Sequence, residues 1–273
     1  MRVIEKPNIS PVRTFVRCYS SYRTTAKNNF RNIVGFIDAQ SINYDQKATN
    51  KNLYLIAEHT HVDQNIFKNE MVKLYNDKMV SHSTGRKIYD KLLSLAPLSR
   101  CPFCGVGTVT TLDHYLPEAK FPTFSVLPYN LVASCKDCNT GKLASYATIQ
   151  NMQTLHPYYD NFTSEQWLYA RVLQPLKIDF FVNPPITWNQ VDKDRVQEHF
   201  KNYKLDKRFS IEASNILANL NYKFTQYFSN PTDIKQELER EYNINKSLHL
   251  NSWETAMYQA LYQDQWYCNG GFR

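Results

Sequence analysis

Apolar residues recur at helical spacing through much of the first hundred residues and again through most of the last hundred. Phe30, Ile33, Val34 and Ile37 predict a helix over 22–42, whereas residues 1–21, with Pro7 and Pro11, read as irregular. The polar run 45–52 reads as a loop. Ile66, Met71, Leu74, Tyr75 and Met79 form one stripe within 64–96. Tyr89, Leu92, Leu93 and Leu95 form another after a break at Ser83-Thr84-Gly85. The segment 101–142 is different: turn residues, two short β-prone runs at 109–112 and 131–133, and a short helix opened by Gly141 and Lys142. Two strands follow at 167–173 and 177–183, separated by Pro175 and closed by Pro184-Pro185. Four helices are then expected at 191–203, 209–227, 232–245 and 252–266, with Asp192, Ser210, Thr232 and Ser252 as N-caps or first-turn residues. The class is α+β and mostly helical, with a small ββα centre. The regions are 1–96, 97–160 and 161–273.

Composition narrows the class. With 42% hydrophobic and 21% charged residues the chain suits a folded soluble protein. No apolar run approaches the length of a membrane span, and the start lacks the apolar stretch of a secretory signal, so the expected location is the cytoplasm. The Arg- and Ser-rich start faintly resembles a transit peptide, a reading that Glu5, Pro7 and Pro11 oppose. The net charge is +7 and uneven: residues 1–100 carry 16 Lys and Arg against 8 Asp and Glu. Such an excess fits either a surface that meets phosphate or a solvated basic face.

Of six cysteines, Cys101, Cys104, Cys135 and Cys138 form two CxxC pairs thirty residues apart, and Cys18 and Cys268 stand alone. Two such turns supply the tetrahedral four-thiolate set of structural zinc. Four protein ligands leave no open position, so this metal should staple the segment and do no chemistry. The other readings are a redox pair or four unrelated thiols; Gly105 and Asn139, each following a knuckle, favour metal.

Between and after the knuckles lie Leu112-Asp113-His114-Tyr115-Leu116-Pro117, then Tyr129-Asn130-Leu131-Val132, then Cys138-Asn139-Thr140-Gly141-Lys142. These residues resemble the HNH (ββα-metal) endonuclease family over about 42 residues. The longer run to His156-Pro157-Tyr158-Tyr159-Asp160 also resembles the HNH component of Septu-type bacterial anti-phage defence systems. The resemblance implies a zinc-stapled ββα core between helical regions and a single catalytic metal. His114 has the right chemistry for a general base. Asp113 and the Asn139 side-chain oxygen are hard ligands suited to Mg2+ or Mn2+. Neighbours on a strand point to opposite faces, so Asp113 and His114 diverge unless the strand ends or bulges there. Asn130 is implied to bridge the loop and hold His114. Lys142, one turn after Asn139, is either a phosphate contact or a solvent-exposed lysine. His156 is either an aid to phosphate binding or structural.

The expected function is metal-dependent hydrolysis of DNA, in anti-phage defence alongside an ATPase partner. The alternatives are cleavage of RNA such as tRNA by the same chemistry, and a non-catalytic zinc-bearing interaction module. Asn139-Thr140-Gly141-Lys142 ends like a phosphate-binding loop, but Lys136 stands where the first glycine is required, so the chain itself has no ATP site of that kind.

Overall fold

The computed structural model describes residues 1–142 and 145–273. It divides into a unit of Arg2–Asp160 and a unit made of Asn161–Arg273 together with Met1. The first opens with three helices, α1 (Pro11–Tyr19), α2 (Thr24–Asn32) and α3 (Val34–Thr49). The expected irregular start is thus helical from residue 11. Ser10 caps α1 by accepting from the Arg13 amide, and Pro11 occupies the first helical position, where its missing N–H costs nothing. The expected single helix over 22–42 breaks at Ile33 and instead runs on to Thr49, taking in half of the polar run read as a loop. Ile37, Ser41, Tyr44 and Ala48 carry a buried stripe through it.

Helix α4 (Lys68–Lys73) continues into a π-helical stretch, Leu74–Val80, and α5 (Ser83–Leu93) follows. The triplet Ser83-Thr84-Gly85 is therefore the first turn of α5 and no break. Gly85 is needed because a Cβ there would stand 2.1 Å from the Lys78 carbonyl oxygen. A two-stranded antiparallel sheet comes next, β1 (Thr111–His114) and β2 (Leu131–Ser134), and then α6 (Lys136–Lys142). The strand expected at 109–112 starts two residues late. Val109 bonds back to Ser99, and Thr108 bridges Arg100, closing the first cysteine knuckle. The short helix opens at Lys136, and Gly141 and Lys142 lie inside it.

The β1–β2 register pairs Leu112 with Ala133 and Asp113 with Val132. Leu112, Leu131 and Ala133 join Phe15, Ile37, Leu74, Ile88 and Leu92 in one hydrophobic cluster. Residues 1–96, set apart in the sequence reading, thus share a core with the hairpin. All four residues of β2 are buried, as expected of a strand covered on both faces.

The second unit is a hairpin, β3 (Leu168–Leu173) with β4 (Lys177–Val182), packed with α7 (Gln190–Asn202), α8 (Leu205–Tyr227), α9 (Pro231–Leu248), α10 (Trp253–Gln263) and α11 (Gln265–Cys268). Trp167, Leu168, Phe180, Val196, Phe224, Leu238 and Met257 line its core. Ser252 caps α10, and Asp192 and Thr232 lie in the first turns of α7 and α9, which Asn189 and Asn230 cap; Ser210 does neither, because α8 already starts at Leu205, after Lys204 in a left-handed conformation. No described helix is long and apolar enough to cross a membrane.

Candidate metal centre and active site

The four cysteines of the two knuckles converge: their sulfurs all lie within 4.8 Å of one another and all four residues are buried. The Cys104 and Cys135 sulfurs stand 3.9 Å apart. A tetrahedron with bonds of about 2.3 Å has edges of about 3.8 Å, so the set fits a zinc-sized ion. Gly105 adopts φ 74°, the left-handed turn that closes the first knuckle. Gly107 passes so close that an added Cβ would stand 2.7 Å from the Cys135 sulfur. Its N–H donates to the Cys104 sulfur at 3.3 Å. The neighbouring sulfurs, Cys101 first, together with that N–H hold the Cys104 thiol far below its ordinary value, towards the thiolate that binds metal. These residues can bind a metal ion such as zinc.

One face of β1 meets α6. Thr111 and Asp113, two apart on the strand, face Asn139 and Lys142, three apart on the helix. The Asn139 Nδ2 donates to the Thr111 hydroxyl at 3.4 Å. The Lys142 ammonium donates to Asp113 Oδ2 at 3.1 Å and to the His114 and Tyr115 carbonyl oxygens, each at 2.6 Å. Burial pushes Asp113 up and Lys142 down, and the charge of each partner opposes the shift of the other. Lys142 is not the solvent-exposed lysine of the two expected: its side chain is 10% exposed and its donors are bound to protein oxygens.

The His114 side chain leaves β1 on the other face. Its Nε2 lies 2.8 Å from the Ser125 carbonyl oxygen. That oxygen can only accept, so Nε2 carries the hydrogen and Nδ1 keeps its lone pair. Burial pushes the imidazole down to about 4, opposed by the Ser125 bond and aided by the Lys142 charge, so it is neutral at physiological pH. The structure therefore places Asp113 against Lys142 and Asn139 against Thr111 on one face of β1, and His114 across the strand from them, where β1 ends.

Two neighbours of His114 went unread in the sequence. The Tyr75 ring, on the π-helical stretch, stands edge-on to His114 at 4.5 Å. Glu118 Oε2 lies 3.8 Å from His114 Nε2 and makes no hydrogen bond. Burial pushes Glu118 up from 4.5 to about 7. A raised carboxyl favours the folded state below pH 4.5, and that advantage is lost as the pH climbs through 7. Glu118→Gln is therefore expected to stabilise the protein on the order of 2 kcal/mol more at pH 8 than at pH 5. Urea unfolding at the two pH values checks this, and an equal change at both would contradict it.

Asn130 organises the loop between the strands. Its Oδ1 accepts from the Leu116 amide at 2.7 Å, and its Nδ2 donates to the Leu116 and Phe124 carbonyl oxygens at 2.9 and 3.2 Å. Phe124 precedes Ser125, whose carbonyl oxygen holds His114. Behind Asn130, the Tyr44 hydroxyl donates to Oδ1 at 3.0 Å. His156 accepts from the Tyr158 amide at Nδ1, so its Nε2–H faces the Tyr44 hydroxyl at 3.3 Å. Buried to 2% exposure, His156 has the structural one of its two expected roles. Nothing near 44 in the sequence flagged Tyr44, because it arrives from an element 86 residues away.

No protein-family model matches the chain, and neither does any solved structure. Over 222 residues it is 36% identical to protein ea31 of Escherichia phage lambda, an alignment covering 74% of each chain. The chain therefore belongs to the family of the phage lambda protein ea31.

Proposed function

We propose that the chain is a metal-dependent endonuclease of the HNH (ββα-metal) type that hydrolyses phosphodiester bonds in DNA. One observation supports this above the rest. His114 is neutral, presents an unprotonated Nδ1 at the end of β1, and is fixed by the Ser125 carbonyl in a loop clamped by Asn130. A general base needs this arrangement. In the proposed reaction Nδ1 takes a proton from water as its oxygen bonds to phosphorus. The bond from phosphorus to the 3′ oxygen breaks and that oxygen takes a proton from solvent, leaving a 5′-phosphate and a 3′-hydroxyl.

The neighbouring donors fit a hard cation. The Asp113 carboxylate and two backbone carbonyls already gather round a positive charge, and Asn139, bound to Thr111 through Nδ2, keeps its Oδ1 for a ligand. Mg2+ or Mn2+ held by Asp113 and Asn139 would supply charge neutralisation at the phosphate. The cysteine set, filled by zinc, would hold α6 against β1.

The exposed basic excess supports a polyanionic substrate. Neither α1 nor α2 contains an acidic residue, and Arg13, Arg17, Arg23 and Arg31 are exposed there. The role in anti-phage defence and the ATPase partner belong to this proposal on the strength of the sequence resemblance. Supercoiled plasmid, single-stranded DNA and tRNA, incubated side by side with zinc-loaded protein and Mg2+ or Mn2+, test the substrate. Cutting of DNA is expected, and cutting of tRNA alone would turn the reading to RNA.

A further inference from the structure

Lys142 and Asp113 hold each other in a way that bears on how the proposed metal site fills. The ammonium has three hydrogens, and three oxygens receive them: Asp113 Oδ2, the His114 carbonyl and the Tyr115 carbonyl. The Tyr115 ring adds a fourth side to the cage, with its centroid 5.2 Å from Nζ. Asp113 is 3% exposed and makes its ion pair here. The cage is thus an all-oxygen site at the end of β1, and a positive charge from the last turn of α6 stands in it.

We infer that Lys142 is a tethered cation that closes the Asp113 site and must withdraw before a divalent metal can bind. The inference rests on the nuclease reading only in taking Asp113 as a metal ligand. Two cations cannot share one buried carboxylate at contact distance without strong repulsion, which burial strengthens. A lysine is suited to the exchange: its ammonium is strongly hydrated and its stem flexible, so it leaves a cage for water or for an anion readily. A phosphate arriving at the end of β1 would offer Lys142 such an anion. Substrate would then draw the lysine out of the cage, and metal and nucleic acid would each raise the affinity for the other. A bare chain would hold metal poorly, and cutting would wait for substrate.

Binding of Mn2+ to the zinc-loaded full-length chain at pH 8, read from the resonance of free Mn2+, tests this without any cleavage. Lys142→Met is expected to bind about tenfold more tightly than wild type or better, since a like charge is gone. Lys142→Arg, which keeps the charge, is expected to bind no more tightly than wild type. Asp113→Asn should lose the site. Equal or weaker binding by Lys142→Met, with the site still lost in Asp113→Asn, would overturn the inference and leave the nuclease reading intact. No Asp113-dependent binding in any variant would overturn the metal assignment and the inference together. If Lys142→Met does not fold, wild type decides: on adding Mg2+ the Lys142 side-chain NMR signal is expected to move to the position of an exposed lysine, and an unmoved signal at saturating metal would overturn the inference.

Discussion

Stripping the cysteine site of metal is expected to unfold the core of the Arg2–Asp160 unit. The protein should carry one zinc per chain, and both Cys135→Ser and a strong chelator should abolish the cooperative unfolding of that unit. A four-thiolate zinc site contributes on the order of 10 kcal/mol to a fold built around it. That is comparable with the whole stability of a typical domain, about 5–15 kcal/mol. Apart from the ion, the side chains of Asn139 and Lys142 tie α6 to β1, and Cys138 is the buried residue of the helix. Without the ion the close packing of Gly107 against Cys135 has no purpose, and four buried thiols crowd one another. Metal analysis with circular dichroism in the near ultraviolet measures this. A metal-free chain that keeps its near-ultraviolet signal and its transition would contradict it.

The second large effect is on rate. Replacing His114 by alanine is expected to lower the single-turnover cleavage rate by about 10²–10⁴-fold, the usual contribution of a positioned general base. Stability should fall far less. The imidazole makes one hydrogen bond, to Ser125, and packs edge-on against Tyr75, so its removal should cost about 2 kcal/mol and leave the zinc content unchanged. Unfolding curves beside the rates separate the two effects.

The parts of this site that were legible in the sequence are those whose chemistry is set by local spacing. Two CxxC turns bring thiolates together almost regardless of what lies between them, and the four sulfurs do converge. Asp113 and His114 sit where β1 ends, one of the two arrangements their adjacency allowed. The misread elements had local signals that tertiary packing outweighed. Pro11 looked like a breaker and is instead the first residue of α1. The polar run at 45–49 hid a single buried position, Ala48, that keeps α3 going.

What could not be read is what arrives from far along the chain. The stripe that holds Tyr75 shows only that it is buried, not that it meets His114, and no stripe marked Tyr44, which bonds Asn130. Glu118 looks like any surface glutamate until the fold shows that its Oε2 is buried without a hydrogen-bond partner. The Lys142 cage depends on two backbone carbonyls, and no residue type announces those.

The central claim is that His114 drives hydrolysis of a phosphodiester in the presence of a divalent metal. One time course tests it most directly: supercoiled plasmid with zinc-loaded wild type and His114→Ala, in Mg2+ or Mn2+ and then in EDTA. Nicking and linearisation by wild type in metal, halted by EDTA and absent in the variant, is the result predicted here. A His114→Ala protein that cuts as fast as wild type, or a folded wild type that cuts no DNA and no RNA, would contradict it.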